Sequence, residues 1–171
     1  MDRFESLLDE TLEAWSDVRQ GLIEELENIP EDKFDFRPTP EVRRVTEMVQ
    51  HILEVALMMT GELTRPDTDF RRAPWPELLA LYASQVGQAN GKAELLALLR
   101  SSMVEAEEKF RSAGELELCQ FITRFDGRQG TKMAWLHHGI AQEMYHRGQL
   151  VTYARLMGIE PALTRRIRAS S

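Results

Sequence analysis

The chain has 171 residues, of which 43% are hydrophobic and 29% charged, and its net charge at neutral pH is −7. These values are typical of a soluble globular protein, and we expect one domain covering residues 1–171. The acidic balance argues against nucleic acid as a partner, because nucleic-acid binding depends on clustered lysines and arginines. There is no run of about 18 apolar residues to predict a membrane span, and the acidic start MDRFESLLDETLEAW does not match a secretion signal. We therefore expect a cytoplasmic protein.

Two long helices are predicted in the first third of the chain. In residues 4–29, apolar side chains recur every three or four positions, which indicates an amphipathic helix, and Pro30 ends it. A loop containing Pro38 and Pro40 follows. The second helix is predicted over about residues 41–63, where the same apolar periodicity returns.

The rest of the chain predicts a short helix and two further long ones. The short helix covers about residues 75–86. The third long helix covers about residues 91–113, with Asn90 as its N-cap. Residues 116–125 (LELCQFITRF) are rich in β-branched and aromatic side chains, which favours a short extended segment. The fourth long helix covers about residues 131–157, so the pattern indicates an all-α four-helix bundle with long connections and a short extra helix.

The fourth long helix carries an unusual set of polar side chains. Its stretch AWLHHGIAQEMYHRGQL, residues 134–150, holds three of the four histidines in the chain. At about 100° of rotation per residue, one helix sector contains His138, Gln142, His146 and Gln149, bracketed by Trp135, Tyr153 and Leu156. A solvated face would carry Lys, Glu and Arg, so we interpret this sector as a polar strip that lines a pocket inside the bundle.

The remaining inward histidine, His51, lies on the second predicted helix between Met48 and Val55 and points toward the same interior. Buried polar groups need partners, at a cost of about 1–3 kcal/mol each if unsatisfied, and water, a substrate or a metal ion can supply them. A single histidine on an apolar helix face is most often a hydrogen-bonded core residue. Because histidines on two helices converge here, we favour a metal site. We interpret His137 as structural or exposed.

Two segments resemble the DinB/YfiT-like family of metalloenzymes: MYHRGQLVTYARLMGIEPAL, and FDFRPTPEVRRVTEMVQHI with its histidine. The resemblance covers nearly the whole chain in helix order, and HRGQL is its most specific part. It implies a four-helix bundle, often dimeric, in which one histidine of the second helix and two of the last bind a divalent metal. His51 and His146 match two of these ligands, and Glu143 matches a glutamate of the motif, but Gln142 replaces the third histidine.

The glutamine leaves three alternatives for the metal site. Gln142 ligates weakly or through water, His138 takes part instead, or the metal is lost and the pocket kept, because a neutral carboxamide is a poor ligand for zinc or nickel. We favour a weakened zinc or nickel site. Its predicted ligands are His51, His146 and Gln142, and its predicted pocket residues are His138, Gln149, Trp135 and Tyr153. The sequence identifies no catalytic residue, because Glu143 points sideways from the strip.

The resemblance implies a thiol-dependent transferase or a hydrolase that acts on a small molecule, with a low-molecular-weight thiol as one candidate partner. The alternative is a non-enzymatic, dimeric stress-response or ligand-binding protein with a degenerate metal site, which the replaced histidine motivates. A third interpretation, an acidic helical interaction protein, explains the charge but not the inward histidines.

Three minor features complete the sequence-based expectations. The only cysteine, Cys119, has no flanking base to activate it, so we expect a buried structural thiol. The basic cluster in residues 165–168 is expected to be a solvated tail. The face of the last long helix opposite the polar strip is also apolar, with Met133, Ile140, Met144 and Val151. The helix is therefore either central in its bundle or also packed against another chain, and we expect a homodimer.

Overall fold

The computed structural model describes residues 4–170 and contains, within that range, seven α-helices and one short β-hairpin. In chain order these are α1 (Leu7–Asn28), α2 (Val45–Leu63), α3 (Trp75–Ala83), α4 (Lys92–Ala113), α5 (Glu115–Leu118), β1 (Phe121–Thr123), β2 (Gln129–Thr131), α6 (Lys132–Leu156) and α7 (Ala162–Ala169). Two single 3₁₀ turns, Glu31–Lys33 and Val86–Gln88, lie in the connections. None of the helices in this range combines the length and the apolar character that crossing a bilayer would take.

The four long helices α1, α2, α4 and α6 form a bundle, in which α1 and α2 each pack against both α4 and α6. Helices α1 and α2 therefore lie at opposite corners, and the loop between them crosses one end of the bundle. Each long helix contributes leucine or isoleucine side chains with no exposed surface, among them Leu22, Ile52, Leu99 and Leu150. The predicted all-α bundle, with its long connections and a short extra helix, is confirmed.

Side-chain caps set where the two site-bearing helices begin. Helix α2 begins at Val45, four residues later than predicted, because the Glu47 carboxylate accepts a hydrogen bond of 2.9 Å from the backbone N–H of Arg44. Helix α6 begins at Lys132, and the hydroxyl of its N-cap Thr131 accepts a hydrogen bond from the backbone N–H of Ala134. These caps place His51 in the second turn of α2.

The start of α4 differs slightly from the prediction, since Gly91 and not Asn90 is the N-cap. The Glu94 carboxylate accepts hydrogen bonds from the backbone N–H groups of both Asn90 and Gly91. A side chain of the first turn thus satisfies the free N–H groups that a helix start leaves, and an N-cap side chain is not needed.

Residues 116–125, predicted as an extended segment, divide between two elements. The first part forms the single turn of α5, and only Phe121–Thr123 is extended. Strand β1 pairs antiparallel with β2, with Phe121 opposite Thr131. Gly127 in the connecting turn has a φ of 80°, a backbone conformation that favours glycine. The hairpin leads directly into α6 and carries Phe125 to the end of the bundle where the site lies.

The basic cluster near the C-terminus forms part of α7, so the predicted solvated tail is helical although its arginines are exposed. The buried Glu25 of α1 explains this order. Its carboxylate accepts hydrogen bonds from the backbone N–H groups of Ala162 and Leu163, the first two residues of α7. Arg166 pairs with Glu24 one position away on α1.

Candidate metal centre

The helices α2 and α6 bring two of the predicted ligands face to face. The ring centroids of His51 on α2 and His146 on α6 are 5.0 Å apart, with an angle of 84° between the ring planes. His146 is buried and His51 is half-buried. The convergence of imidazoles from two helices, inferred from the helical period, is therefore present in the fold.

Gln142 lies one turn before His146 and faces His51. Its side-chain Nε2 is 3.2 Å from Nε2 of His51, and its N–H donates to that ring nitrogen in this orientation of the amide. His51 then carries its own proton on Nδ1. Position 142 thus lies beside the α2 histidine, where the resemblance places the third metal ligand.

Gln149 orients the second imidazole. Its Oε1 accepts a hydrogen bond of 2.7 Å from Nδ1–H of His146. The proton on Nδ1 leaves Nε2 as the lone-pair nitrogen of this ring. An outer partner of this kind is what fixes the tautomer of metal-ligating histidines in proteins.

Both imidazoles are held in the neutral form, which is the form that binds metals. Burial lowers the pKa of His51 to about 4, and Arg43 and His146 add to the effect because a proton on His51 would be repelled by the Arg43 charge and by a second proton on His146. Burial also lowers the pKa of His146, and Arg43 contributes in the same direction, while the hydrogen bond to Gln149 opposes the shift. The sequence did not identify Arg43, an exposed loop residue just before α2, as part of the site.

A cavity of about 270 Å³ is lined by His51 and Gln142, whereas His146, which faces His51, is not part of its lining. Its polar lining comes from His51, His138 and Gln142, so the predicted pocket residue His138 is part of the wall. The apolar lining from the long helices consists of Val55, Met58, Met59 and Gly139. A wider groove of about 460 Å³ between α1 and α4 contains no histidine.

Three aromatic rings close the other side of this cavity. Trp75 at the start of α3 and Phe125 of the hairpin lie 5.4 Å apart, edge to face. Trp135 of α6 stacks on His138 at 4.5 Å, with the guanidinium of Arg124 also 4.5 Å from its ring centroid. The sequence reasoning missed Trp75 and Phe125, because both belong to connections whose position depends on the tertiary fold.

Two predicted pocket residues do not line this cavity. Gln149 acts on His146 alone, as described above. Tyr153 is buried against Phe36, with 5.9 Å between the two ring centroids, and its hydroxyl donates a hydrogen bond to the backbone carbonyl of Arg43. Tyr153 thus anchors the loop that carries Arg43 and contributes to the site only through that loop.

The glutamate of the motif, Glu143, lies apart from the predicted metal ligands. Glu143 is buried in the bundle, where its carboxylate accepts hydrogen bonds from Trp15 at 3.0 Å and from Arg19 at 2.5 and 2.9 Å. Arg19 donates further to Ser102 and to the carbonyl of Leu99 on α4. A carboxylate occupied in this way ties α1, α4 and α6 together and is not placed to act as a base in the cavity.

Cys119 lies outside the site and is exposed, so the predicted buried thiol is wrong. The residue is the C-cap of α5, where the chain turns toward β1. Its neighbour Leu118 takes the buried position at this turn, which leaves the thiol on the outer side.

The donor set fits a divalent cation in part. Within residues 4–170, no three His, Cys, Asp or Glu side chains gather closely enough to hold a metal ion. Two neutral imidazoles and one carboxamide do meet, and rotation of the Gln142 amide would present its oxygen where the nitrogen now lies. Such a set is suited to weak binding of zinc or nickel, because imidazole is a good ligand for these metals and a neutral amide oxygen is not.

These features define a class, namely helical bundles with a histidine-lined site between the second and the last long helix. The sequence model of the DinB family matches residues 1–169, and the chain belongs to this family. No curated protein matches the sequence.

Several solved structures share the fold. A DinB-like protein of Bacillus subtilis (YjoA) is 21% identical, with a TM-score of 0.66 over 87% of this chain and 92% of the other. YfiT from Bacillus subtilis, described as a probable metal-dependent hydrolase with an unusual four-helix bundle topology, is 16% identical, with a TM-score of 0.66 over 94% and 95%. The mycothiol-dependent maleylpyruvate isomerase is 16% identical, with a TM-score of 0.67 over 88% of this chain but only 63% of that protein.

Proposed function

We propose that this protein is a metal-dependent enzyme, a transferase or hydrolase that acts on a small molecule at a weak divalent-metal site between α2 and α6. One observation carries the proposal. His51 and His146 face each other at 5.0 Å, and His51 and Gln142 also line a cavity large enough for a small substrate. A metal held by two or three protein ligands keeps open positions, as catalytic sites require.

What is known of two structural neighbours supports a metal-dependent enzyme. YfiT is described as a probable metal-dependent hydrolase, and the isomerase as mycothiol-dependent. A divalent metal, zinc or nickel, and a low-molecular-weight thiol as co-substrate are therefore the first candidates to test here.

The residues between α2 and α6 would have separate roles in a metal-dependent reaction. A bound zinc or nickel ion would lower the pKa of water or a thiol and so supply a nucleophile near neutral pH. His51 and His146 would hold the ion, and Gln149 keeps Nε2 of His146 free of its proton. The apolar and aromatic cavity walls exclude water from the bound substrate.

A second function is favoured by the Gln142–His51 hydrogen bond. This bond satisfies the Nε2 atom of His51 without a metal, as a site that has lost its metal but kept its pocket would require. The alternative is thus a ligand-binding or stress-response protein with a degenerate metal site. The same fold and cavity would serve it.

We also propose that the protein is a homodimer through the outer face of α6. Of the four predicted contact residues, Met133 and Ile140 are buried within the bundle, whereas Met144 is exposed and Val151 is half-buried. The available apolar surface is therefore the part of α6 around Met144. Residence in the cytoplasm stays a prediction.

The test is a metal titration of protein purified without an affinity tag or chelator. We expect zinc or nickel to bind at one site per chain, and His51→Ala to abolish binding while the helical content is kept. His137→Ala is the matched control, since His137 lies on α6 but outside the cavity, in contact with Thr11. Protein that is metal-free and binds neither ion at micromolar concentration would overturn the metalloenzyme proposal in favour of the degenerate site.

A further inference from the structure

The walls of the cavity beside His51 carry no formal charge. None of the side chains that line it is Asp, Glu, Lys or Arg. The guanidinium of Arg124 lies over the Trp135 ring and 3.6 Å from the carboxylate of Asp126. Arg43 acts on His51 through its charge but is not part of the lining. A charged group of a substrate would lose its hydration in this cavity and would find no opposite charge in the walls, which costs free energy in an apolar environment.

The aromatic side of the cavity is suited to flat rings. Trp75, Phe125 and Trp135 come from three separate segments, and successive ring centroids along this wall are 5.4 and 6.3 Å apart. Aromatic rings attract one another in edge-to-face and offset arrangements at about 4.5–7 Å between centroids. A ligand ring can therefore extend the contacts that these side chains already make with each other.

The volume of the cavity and its polar side chains restrict the range of possible ligands further. A buried cavity of about 150 Å³ holds one benzene molecule, and this cavity measures about 270 Å³. His51, His138 and Gln142 are the polar side chains of the lining besides the indole N–H groups, and His138 stacks on Trp135. A ligand of one or two rings with a single polar group would match both its volume and its polarity.

We propose that the cavity binds uncharged aromatic molecules of one or two rings, with the polar group directed toward Gln142 and His51. This inference rests on the proposed function, since it names the substrate class of that same site. It also applies to the degenerate-site alternative, in which the same molecule would be the ligand of a binding protein.

The test compares three probes of nearly equal size, namely benzyl alcohol, benzoate and benzylamine, on the full chain with a chelator present. The three tryptophan indole N–H signals in an NMR spectrum provide the readout. Benzyl alcohol should shift the signals of Trp75 and Trp135 and leave that of Trp15, which is buried against Glu143, unchanged. Benzoate and benzylamine should bind weaker by about tenfold or more, because each must bury a charge.

Two variants show whether the aromatic wall causes the binding. Phe125→Ala should weaken the binding of benzyl alcohol several-fold, since it removes one ring of the wall. Phe121→Ala should not, because Phe121 lies in the same hairpin, is 70% exposed and does not line the cavity. Equal losses in the two variants would overturn the proposal.

The metal titration and the ligand titration test the two proposals independently. Benzyl alcohol that binds in chelator while zinc never binds would overturn the metal-dependent function and support the ligand class. Benzoate that binds as tightly as benzyl alcohol in chelator, or no shift at Trp75 and Trp135 with any probe, would overturn the ligand class. An affinity for benzoate that appears only after zinc is added supports the metal-dependent function, since the metal then supplies the missing charge. The ligand class is supported separately by the binding of benzyl alcohol in chelator.

Discussion

At position 142 the chain has a carboxamide where the DinB-like motif has a metal-binding histidine. Because Gln142 already faces Nε2 of His51 at 3.2 Å, an imidazole at this position would add a third good ligand to the site. We expect Gln142→His to tighten zinc binding by about tenfold or more, because a direct ligand contributes at least as much as the outer partners of ligands, whose loss costs about ten- to a hundredfold. Competition against a chromophoric chelator measures this change.

The control for this substitution is Thr152→His, which adds a histidine to the same helix at an exposed position that is neither three nor four residues from another histidine. Equal tightening in both variants would mean that any added imidazole binds zinc on the surface. It would remove position 142 from the site.

His51 also predicts how stability depends on pH in metal-free protein. Burial lowers its pKa to about 4 in the folded chain, below the value of about 6.5 expected when unfolded. Between these values the unfolded chain binds more protons, so the contribution of neutral His51 is complete above about pH 6.5 and is lost as the pH falls toward 4. In urea unfolding with a chelator present, His51→Asn should lose less stability than the wild type between pH 7 and pH 4.5. His137→Asn should follow the wild type, and a wild-type slope for both would contradict the role of His51.

At the level of the helices, a buried ion pair holds the bundle together next to the site. Arg19 of α1 and Glu143 of α6 are both almost completely buried, and Glu143 directly follows Gln142. Removing one partner of a buried pair leaves an uncompensated charge, so Glu143→Gln should lower the free energy of unfolding by about 3–5 kcal/mol. Urea unfolding of the metal-free protein measures it.

The surface pair between Arg100 and Glu27 is the matched comparison, since both side chains are about half exposed. Exposed pairs contribute about 1 kcal/mol or less, so Glu27→Gln should be nearly neutral. A double variant, Arg19→Met with Glu143→Leu, should recover most of the stability that Glu143→Gln loses, because apolar replacements of both partners leave no buried charge. A large loss in the double variant would mean that packing, and not the unpaired charge, sets the cost.

At the scale of the whole molecule, the sequence predicts features that depend on neighbouring residues and does not predict features that depend on contacts between distant segments. The helical period alone places Gln142 and His146 on one face of α6, and an inward His51 on α2 follows from the same rule. The start of α4 depends on the Glu94 side chain, a local feature that the sequence contains but that competes with the good N-cap residue Asn90. The aromatic wall could not be predicted, since it forms only when the hairpin and the start of α3 fold over α6.

The outer face of the bundle around Met144 carries the surface proposed for the homodimer. Met144 is 53% exposed there, between grooves of about 340 and 480 Å³ that Arg147 and Leu163 also line. The second groove includes the acidic Glu13 and Asp17 of α1. A twofold interface brings the same patch of two copies together, so a patch that carries both charge signs beside an apolar centre can pair with itself.

Sedimentation equilibrium should therefore give twice the chain mass of 19.7 kDa for the wild type. Met144→Glu should give the monomer, because two carboxylates would be buried close together at the twofold axis. Leu116→Glu is the control, since Leu116 is 83% exposed on α5, away from this face. A monomeric wild type, or dissociation by Leu116→Glu and not by Met144→Glu, would contradict the interface. Because the face around Met144 lies outside the cavity, zinc binding should be the same in monomer and dimer.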